Sequence, residues 1–313
     1  MYTQTKLESI KNSRRFAFGV FLLPGVVVFA LLILYPIFSS FTYSLYSWDG
    51  LIREDFVGFG HFYTILFSDH PISTRFWNAA SNNAYALVFV LVIQTSLGFL
   101  VALMLFQGLP GTKFFRALVF LPVTLSIVVV GFLFRMFLHP TWGIVNHFIE
   151  LFVEGSFNFP WLGDPATAFT TILLVNVWRW AGFPALIFLA GLNNIPGSII
   201  DACEMDGVRG FTRAFRIYLP LIVPQLLTVL ILTITGNLRM FDIVFALTGP
   251  MGSPNYATDV FGTLFYRSAF GTVTGLSNKG IGATIGILLV IISAVLSIIV
   301  TRALQNKRVE LEG

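Results

Sequence analysis

The sequence predicts an all-α, polytopic membrane protein with six transmembrane helices and both termini in the cytoplasm. Three observations predict it. Of 313 residues, 56% are hydrophobic and 11% charged, where a soluble domain carries about 25% charged residues; mean hydropathy is +0.82. Six stretches, 16–46, 84–106, 117–138, 169–192, 219–247 and 276–302, reach the roughly 20 mostly apolar residues that one crossing needs. Twelve of the nineteen Lys and Arg fall on one side of a six-span arrangement, and loops rich in Lys and Arg stay in the cytoplasm.

Taken in order, Lys6, Lys11, Arg14 and Arg15 hold the N-terminus inside. The first stretch is too long for a cleaved signal peptide and has no small-x-small site after it. The first and fifth stretches exceed one crossing, so they tilt, kink or extend beyond the bilayer. Lys113 and Arg116 follow the second stretch; Arg209, Arg213 and Arg216 follow the fourth; Arg302, Lys307 and Arg308 end the chain. The opposite loops, 47–83, 139–168 and 248–275, carry Arg53, Arg75 and Arg267, with Lys279 at the outer end of the last stretch, and most remaining acids, among them Asp49, Glu54, Asp55, Asp69, Glu150, Glu154 and Asp164. No repeat or linker divides the chain, so 1–313 reads as one domain: a five-helix unit with the first span added.

Several function classes are excluded at this level. No basic stripe exists for nucleic acid. Cys203 is the single cysteine, which leaves no internal disulfide and no thiolate metal cluster. His61, His70, His139 and His147 lack ligand spacing, so no metal site is expected. Gly108 to Lys113 superficially resembles a phosphate loop, but it lacks the four-residue gap before Gly-Lys and follows no strand. It reads as a turn.

The densest charge lies in 201–220, with Asp201, Glu204, Asp206, Arg209, Arg213 and Arg216 between two apolar spans. Pro196 stops the preceding helix, and Ser198 with Asp201 is expected to cap a short helix over 199–206 that sets Ile199, Ala202 and Cys203 on one face. Gly207 suits the left-handed residue that closes a helix. A second helix over 210–218 puts Phe211, Ala214, Phe215 and Tyr218 on one face and the arginines on another. Pro220 opens the next span. By pattern alone this elbow is either a docking surface or a solvated hairpin on the membrane surface.

The segment resembles the EAA loop of membrane subunits of binding-protein-dependent ABC importers. Asp201-Ala202-Cys203, Asp206-Gly207, Phe215, Ile217 and Leu219-Pro220 stand in register with that pattern, with Asp201 in place of Glu and Cys203 in place of Ala. Leu23-Pro24, Tyr35-Pro36, Trp48-Asp49-Gly50, Phe56-Val57-Gly58 and Phe115-Arg116 with Phe120-Leu121-Pro122 are similar to the carbohydrate-uptake branch, the maltose- and glycerol-phosphate-type permeases. So are Phe188-Leu189-Ala190-Gly191-Leu192, Phe241-Asp242, Leu247-Thr248-Gly249, Tyr266 with Ala269-Phe270, and Gly282-Ala283.

The resemblance implies a type I importer core of five helices plus an N-terminal helix. It implies a second homologous permease, two ATPase subunits and an extracytoplasmic substrate-binding protein as partners, in a bacterial or archaeal cytoplasmic membrane (the inner membrane of a Gram-negative cell). ATP and Mg would be bound by the ATPase subunits, with no cofactor in this chain. The loop 193–218 would couple the machine, with Asp201, Ala202, Asp206, Gly207 and Pro220 at the contact and Arg209, Arg213 and Arg216 pairing with acids of the ATPase. Gly249 to Pro254 and the acidic first loop are candidate contacts for the binding protein; ordinary loop structure is the better account of any single residue there.

Ionisable residues inside spans mark cavities or partners. The fourth span offers Asn176, Trp178, Arg179 and Trp180, with Gly182 and Pro184 weakening the helix just after them. The fifth offers Asn237, Arg239, Phe241 and Asp242 after Gly236; Gln94 and Arg135 complete the set. Aromatic faces with amides and charges suit a sugar. Two further readings stand beside this one: the tryptophans as interface or packing residues, and Arg239–Asp242 as a structural pair. A sugar or sugar derivative is the expected cargo, with an anionic substrate (a sugar acid, a sulfonated sugar or glycerol phosphate) as the alternative. A stand-alone secondary transporter would need no elbow, and a membrane enzyme would need a paired-acid or histidine motif that is absent.

Overall fold

The computed structural model describes residues 19–312 apart from 51, 109, 238–239 and 272–277, with side chains to 300 and at 302. Helix α1 (Gly19–Ser44) leads into a short antiparallel hairpin, β1 (Tyr46–Asp49) and β2 (Ile52–Phe56), in which Trp48 pairs with Arg53. Then come α2 (Gly60–Phe67), the long α3 (Pro71–Phe106), α4 (Thr112–Thr124), α5 (Ile127–Phe137) and α6 (Ile144–Glu150). The second half holds α7 (Ala168–Trp180), α8 (Gly182–Asn193), α9 (Gly197–Met205), α10 (Gly210–Leu221) and α11 (Val223–Asn237). It closes with α12 (Asp242–Thr248), α13 (Phe261–Phe270) and α14 (Lys279–Glu312).

Among the described residues α1, α3 and the Lys279–Val300 part of α14 are each long and apolar enough to cross a membrane. Three bent pairs bring the total to as many as six: α4 with α5 at 98°, α7 with α8 at 42°, and α10 with α11 at 78°. Each bend has a local cause. Leu125 and Ser126 take extended ψ values of 139° and 137° just after Pro122, which ends one helix and starts another. Gly182 and Pro184 divide α7 from α8, as expected. At Ile222 the backbone leaves helical geometry, with φ −104° and ψ 20°.

Helix α3 is the mast of the fold. Its 36 residues rise about 54 Å at 1.5 Å each, and they enter three separate cores. Phe76 and Ala79 pack with Phe261, Leu264, Ile285 and Leu288. Ala86 and Val90 pack with α5, α7 and α12 through Val130, Ile172 and Val244. Phe99 and Ala102 pack with Phe188, Leu192, Tyr218 and Ile222. The apolar count begins this span at 84, whereas the helix begins at Pro71, where the His70 ring accepts the Ile72 N–H at 3.2 Å. The early turns are polar because they hold a loop: Asn78 and Asn82 donate to the carbonyls of Tyr256, Ala257 and Asp259.

Close helix approach depends on glycine at two positions. A Cβ on Gly98 would lie 2.7 Å from Pro184 Cβ, locking α3 to α8, and one on Gly182 would collide with the Val119 carbonyl of α4.

The expected loop 248–275 is largely structured. Helix α13 lies antiparallel to the start of α14: Asn278 N–H donates to Ser268 O at 3.1 Å, and Gly282 sits against Ala269 and Gly286 against Phe265. Its first turn therefore lies deep beside Ile285 and Leu288, and its last turn ends level with Lys279.

Candidate substrate cavity and coupling elbow

Between α3, α7, α8, α11 and α12 lies a cavity of about 320 Å³, within the size range of small-molecule sites. Its walls include Gln94, Asn176, Arg179, Trp180, Phe183, Thr233, Asn237, Phe241 and Asp242. The sequence singled out about half of this wall, including its charged and amide residues. A wide π-type turn over Val90–Gln94 in α3 puts both of its end residues on the cavity; such turns concentrate at functional sites and leave no mark on an apolar count.

The polar groups here are unspent. Asn237 is 5% exposed, yet neither its Oδ1 nor its Nδ2 has a hydrogen-bond partner. Buried polar atoms are paired in the large majority of cases, and an unpaired one costs about 1–3 kcal/mol. Arg179 is half-buried. Its Nη2 reaches the Leu125 carbonyl at 3.4 Å, its Nε has no partner, and its guanidinium lies 5.1 Å from the centre of the Trp180 indole. It makes no ion pair among the described residues. Asp242, at the first turn of α12, lines the same space from the other wall; it is exposed and makes no ion pair among the described residues. The described wall thus presents one cation, one anion, amides from three helices and aromatic faces.

One candidate falls elsewhere and one is not among the described residues. Trp178 is 44% exposed on the outer surface of α7, edge-on to Phe134 at 5.1 Å, and does not line the cavity. Arg239, and with it the pair with Asp242, lies outside the described residues. Arg135 is structural: its Nε donates to Leu247 O at 2.9 Å, tying α5 to α12. Phe183 and Thr233 joined the cavity without any sequence signal beyond their position near a helix break.

At one end of the molecule stands the elbow. Helix α9 starts at Gly197 with Pro196 as its cap and no side-chain cap bond; the expected Ser198–Asp201 capping box does not form, because both residues already lie within the first turns. Gly207 takes φ +69° with open space around it, and Val208 N–H donates to Cys203 O at 2.9 Å, the left-handed closure that the sequence foresaw.

Cys203, Ala214 and Tyr218 are buried, with Tyr218 edge-on to Phe106 at 5.6 Å. This roots the elbow on α3. Asp201, Ala202, Asp206, Arg209, Arg216 and Pro220 face outward, as do Met205 and Phe211 at 89% and 76% exposure. Arg213 turns inward, 3.7 Å from Glu204 and 5.5 Å from the centre of the Tyr218 ring.

Comparison with known proteins gives the family. The lactose transport system permease LacF of Rhizobium radiobacter is 30% identical over 97% of this chain and 99% of its own. The trehalose/maltose transport system permease MalF of Thermococcus litoralis is 31% identical over 85% of this chain and 86% of its own. A chain of a bacterial alginate ABC transporter, solved in complex with an alginate pentasaccharide-bound periplasmic protein, superposes with a TM-score of 0.77 at 24% identity, covering 92% of this chain and 93% of that one. The family model matches residues 94–310, which reach from Gln94 in the cavity through the elbow to α14. The chain is a member of the family of binding-protein-dependent transport system inner membrane components.

Proposed function

We propose that this chain is one permease half of an ATP-driven importer for a sugar or sugar derivative, and that the cavity around Asn237 is its substrate site. The observation that carries this reading is the set of unpaired polar groups in an otherwise apolar slab. Asn237 leaves both amide atoms free, and Arg179 and Asp242 face one cavity without pairing. A polyol supplies donors and acceptors to all of these at once. Among the described residues, the Arg179 donors and the Asp242 acceptor balance in charge, which favours a neutral sugar. Trp180, Phe183 and Phe241 offer faces for the apolar side of a sugar ring.

The lactose and trehalose/maltose permeases among the relatives support the same cargo class. Family membership supports the remaining parts of the machine: a second permease, two ATPase subunits that would bind ATP and Mg, and an extracytoplasmic binding protein. The alginate transporter's complex with a periplasmic protein supports the last of these. The chain spans the cytoplasmic membrane of a bacterium or archaeon (the inner membrane where the cell is Gram-negative), with the elbow and both termini on the cytoplasmic side. Asp201, Ala202, Asp206, Gly207, Arg209 and Arg216 meet the ATPase. Arg213 serves the elbow from within, through Glu204 and Tyr218.

Uptake of labelled lactose, maltose and trehalose by the reconstituted assembly, with and without ATP, tests the proposal. ATP-dependent uptake of any of them that fails in Asn237→Leu supports it. Uptake independent of ATP, or unaffected by Asn237→Leu, overturns it.

A further inference from the structure

A series of aromatic rings runs from the cavity towards the end of the molecule opposite the elbow. Phe241 lines the cavity. Its ring centre lies 5.2 Å from Phe245 and 5.6 Å from Tyr266. Phe245 and Tyr266 are 5.3 Å apart, and Tyr266 is 5.3 Å from Phe270. Three of these rings are half-buried and the last, Phe270, is 69% exposed.

Their depth is ordered. Gly262, in the first turn of α13, presses on Phe241, where a Cβ would come within 2.7 Å of the Phe241 Cβ. Phe270, in the last turn, is level with the start of α14. Helix α13 thus climbs about 14 Å, at 1.5 Å per residue, from the cavity floor to the far rim.

A packing cluster would turn its rings into the core. Here the core side of α13 is taken by Phe261 and Leu264, packed with Ile285 and Leu288. The four-ring series lies on the other side, and the Tyr266 hydroxyl takes no hydrogen bond among the described residues.

We propose that Phe241, Phe245, Tyr266 and Phe270 form a stacking track for the apolar faces of pyranose rings, leading a sugar between the far rim and the cavity. The proposal rests on the sugar reading of the cavity. Successive ring centres stand so close that a sugar leaving one face already meets the next, so no step requires the ring to be fully rehydrated. The free Tyr266 hydroxyl offers a hydrogen bond halfway.

The test is uptake of labelled lactose, maltose and trehalose by the full assembly in proteoliposomes, delivered by its binding protein. Variants are Phe270→Leu, Phe270→Trp, Tyr266→Leu and Tyr266→Trp, with Phe261→Leu as a core-facing control. Thermal unfolding is measured on each. A track needs a flat face, so both Leu variants lose uptake by about two- to tenfold, the scale of one aromatic contact, and both Trp variants keep it. A packing role gives the reverse order, because Trp overfills where Leu fits.

Uptake by the wild type with Leu equal to or better than Trp overturns the track and leaves the cavity reading standing. No wild-type uptake of any of the three sugars overturns the sugar reading, and the track with it. Uptake lost only in step with thermal stability also overturns the track.

Discussion

Arg267 on α13 donates through Nη2 to Asp259 Oδ2 at 2.6 Å, and the two side chains are 8% and 0% exposed. Thr263 Oγ1 adds a bond to Asp259 Oδ1 at 2.6 Å, and Arg267 Nη1 reaches the Pro250 carbonyl at 3.0 Å. Tyr256 covers the pair, its ring centre 5.0 Å from the Arg267 guanidinium and 4.3 Å from that of Arg75, whose Nη2 also bonds the Tyr256 hydroxyl. This knot fixes the loop between α12 and α13 against α3, and it fixes the height at which α13 starts.

Breaking one side of that pair strands a buried charge. Arg267→Met is expected to cost about 3–5 kcal/mol, while the double variant Arg267→Met/Asp259→Leu recovers most of it. Chemical unfolding of the purified assembly measures both. Equal loss in the single and double variants would show that the knot acts by shape and not by charge.

Asn237 is expected to trade stability against transport. Asn237→Leu removes two unpaired buried atoms, so unfolding free energy stays level or rises by about 1–3 kcal/mol. Uptake falls by about tenfold, the equivalent of one good hydrogen bond lost to the substrate. A variant that transports normally would remove Asn237 from the substrate path.

Gly207 tests coupling. A bulky side chain meets open space in this chain, so Gly207→Trp carries only the backbone cost of a left-handed residue, about 1–2 kcal/mol. Its effect falls on the docked partner: ATP hydrolysis continues while sugar uptake per ATP drops. Gly207→Asn, which tolerates the left-handed region, keeps coupling. Full uptake by Gly207→Trp would place the ATPase contact elsewhere.

Glu150 gives a pH signature to the loop after α6. The His147 hydrogen bond at 2.8 Å and the Phe157 N–H at 2.9 Å hold its carboxyl below the ordinary value of 4.5. A lowered folded pKa contributes stability that is present above the unfolded value and lost as pH falls through the folded one. The Phe157 amide should therefore stay protected from exchange at pH 4.5 and lose protection only on further acidification. Loss already above that value would contradict the bond.

The elbow was readable from particular residues. Pro196, Gly207 and Pro220 mark its breaks, and the arginine spacing shows its helices, because backbone stops and helical periodicity are local. The helix break at Gly182 was readable for the same reason. The capping box was misread: two polar residues in the right spacing do not cap a helix that has already started at Gly197 under Pro196. Half of the cavity wall was visible as polar residues in apolar spans. Phe183 and Thr233 were not, since an ordinary residue joins a site only when another helix faces it. Trp178 and Arg179 are neighbours in sequence, yet rotation about α7 sends one to the outer surface and the other to the cavity.

By itself, the sequence determined that the chain is a helical membrane protein, where its polar elbow lies and which family it resembles; hydropathy, charge bias and turn chemistry act locally. The tertiary structure decided that α3 extends to Pro71, that α13 turns back beside α14, and that Asn237, Arg179 and Asp242 face one space unpaired. Those outcomes depend on which helix face meets which neighbour, at distances set by Gly98, Gly182 and Gly262, and contacts between residues far apart in the chain leave no period in a sequence.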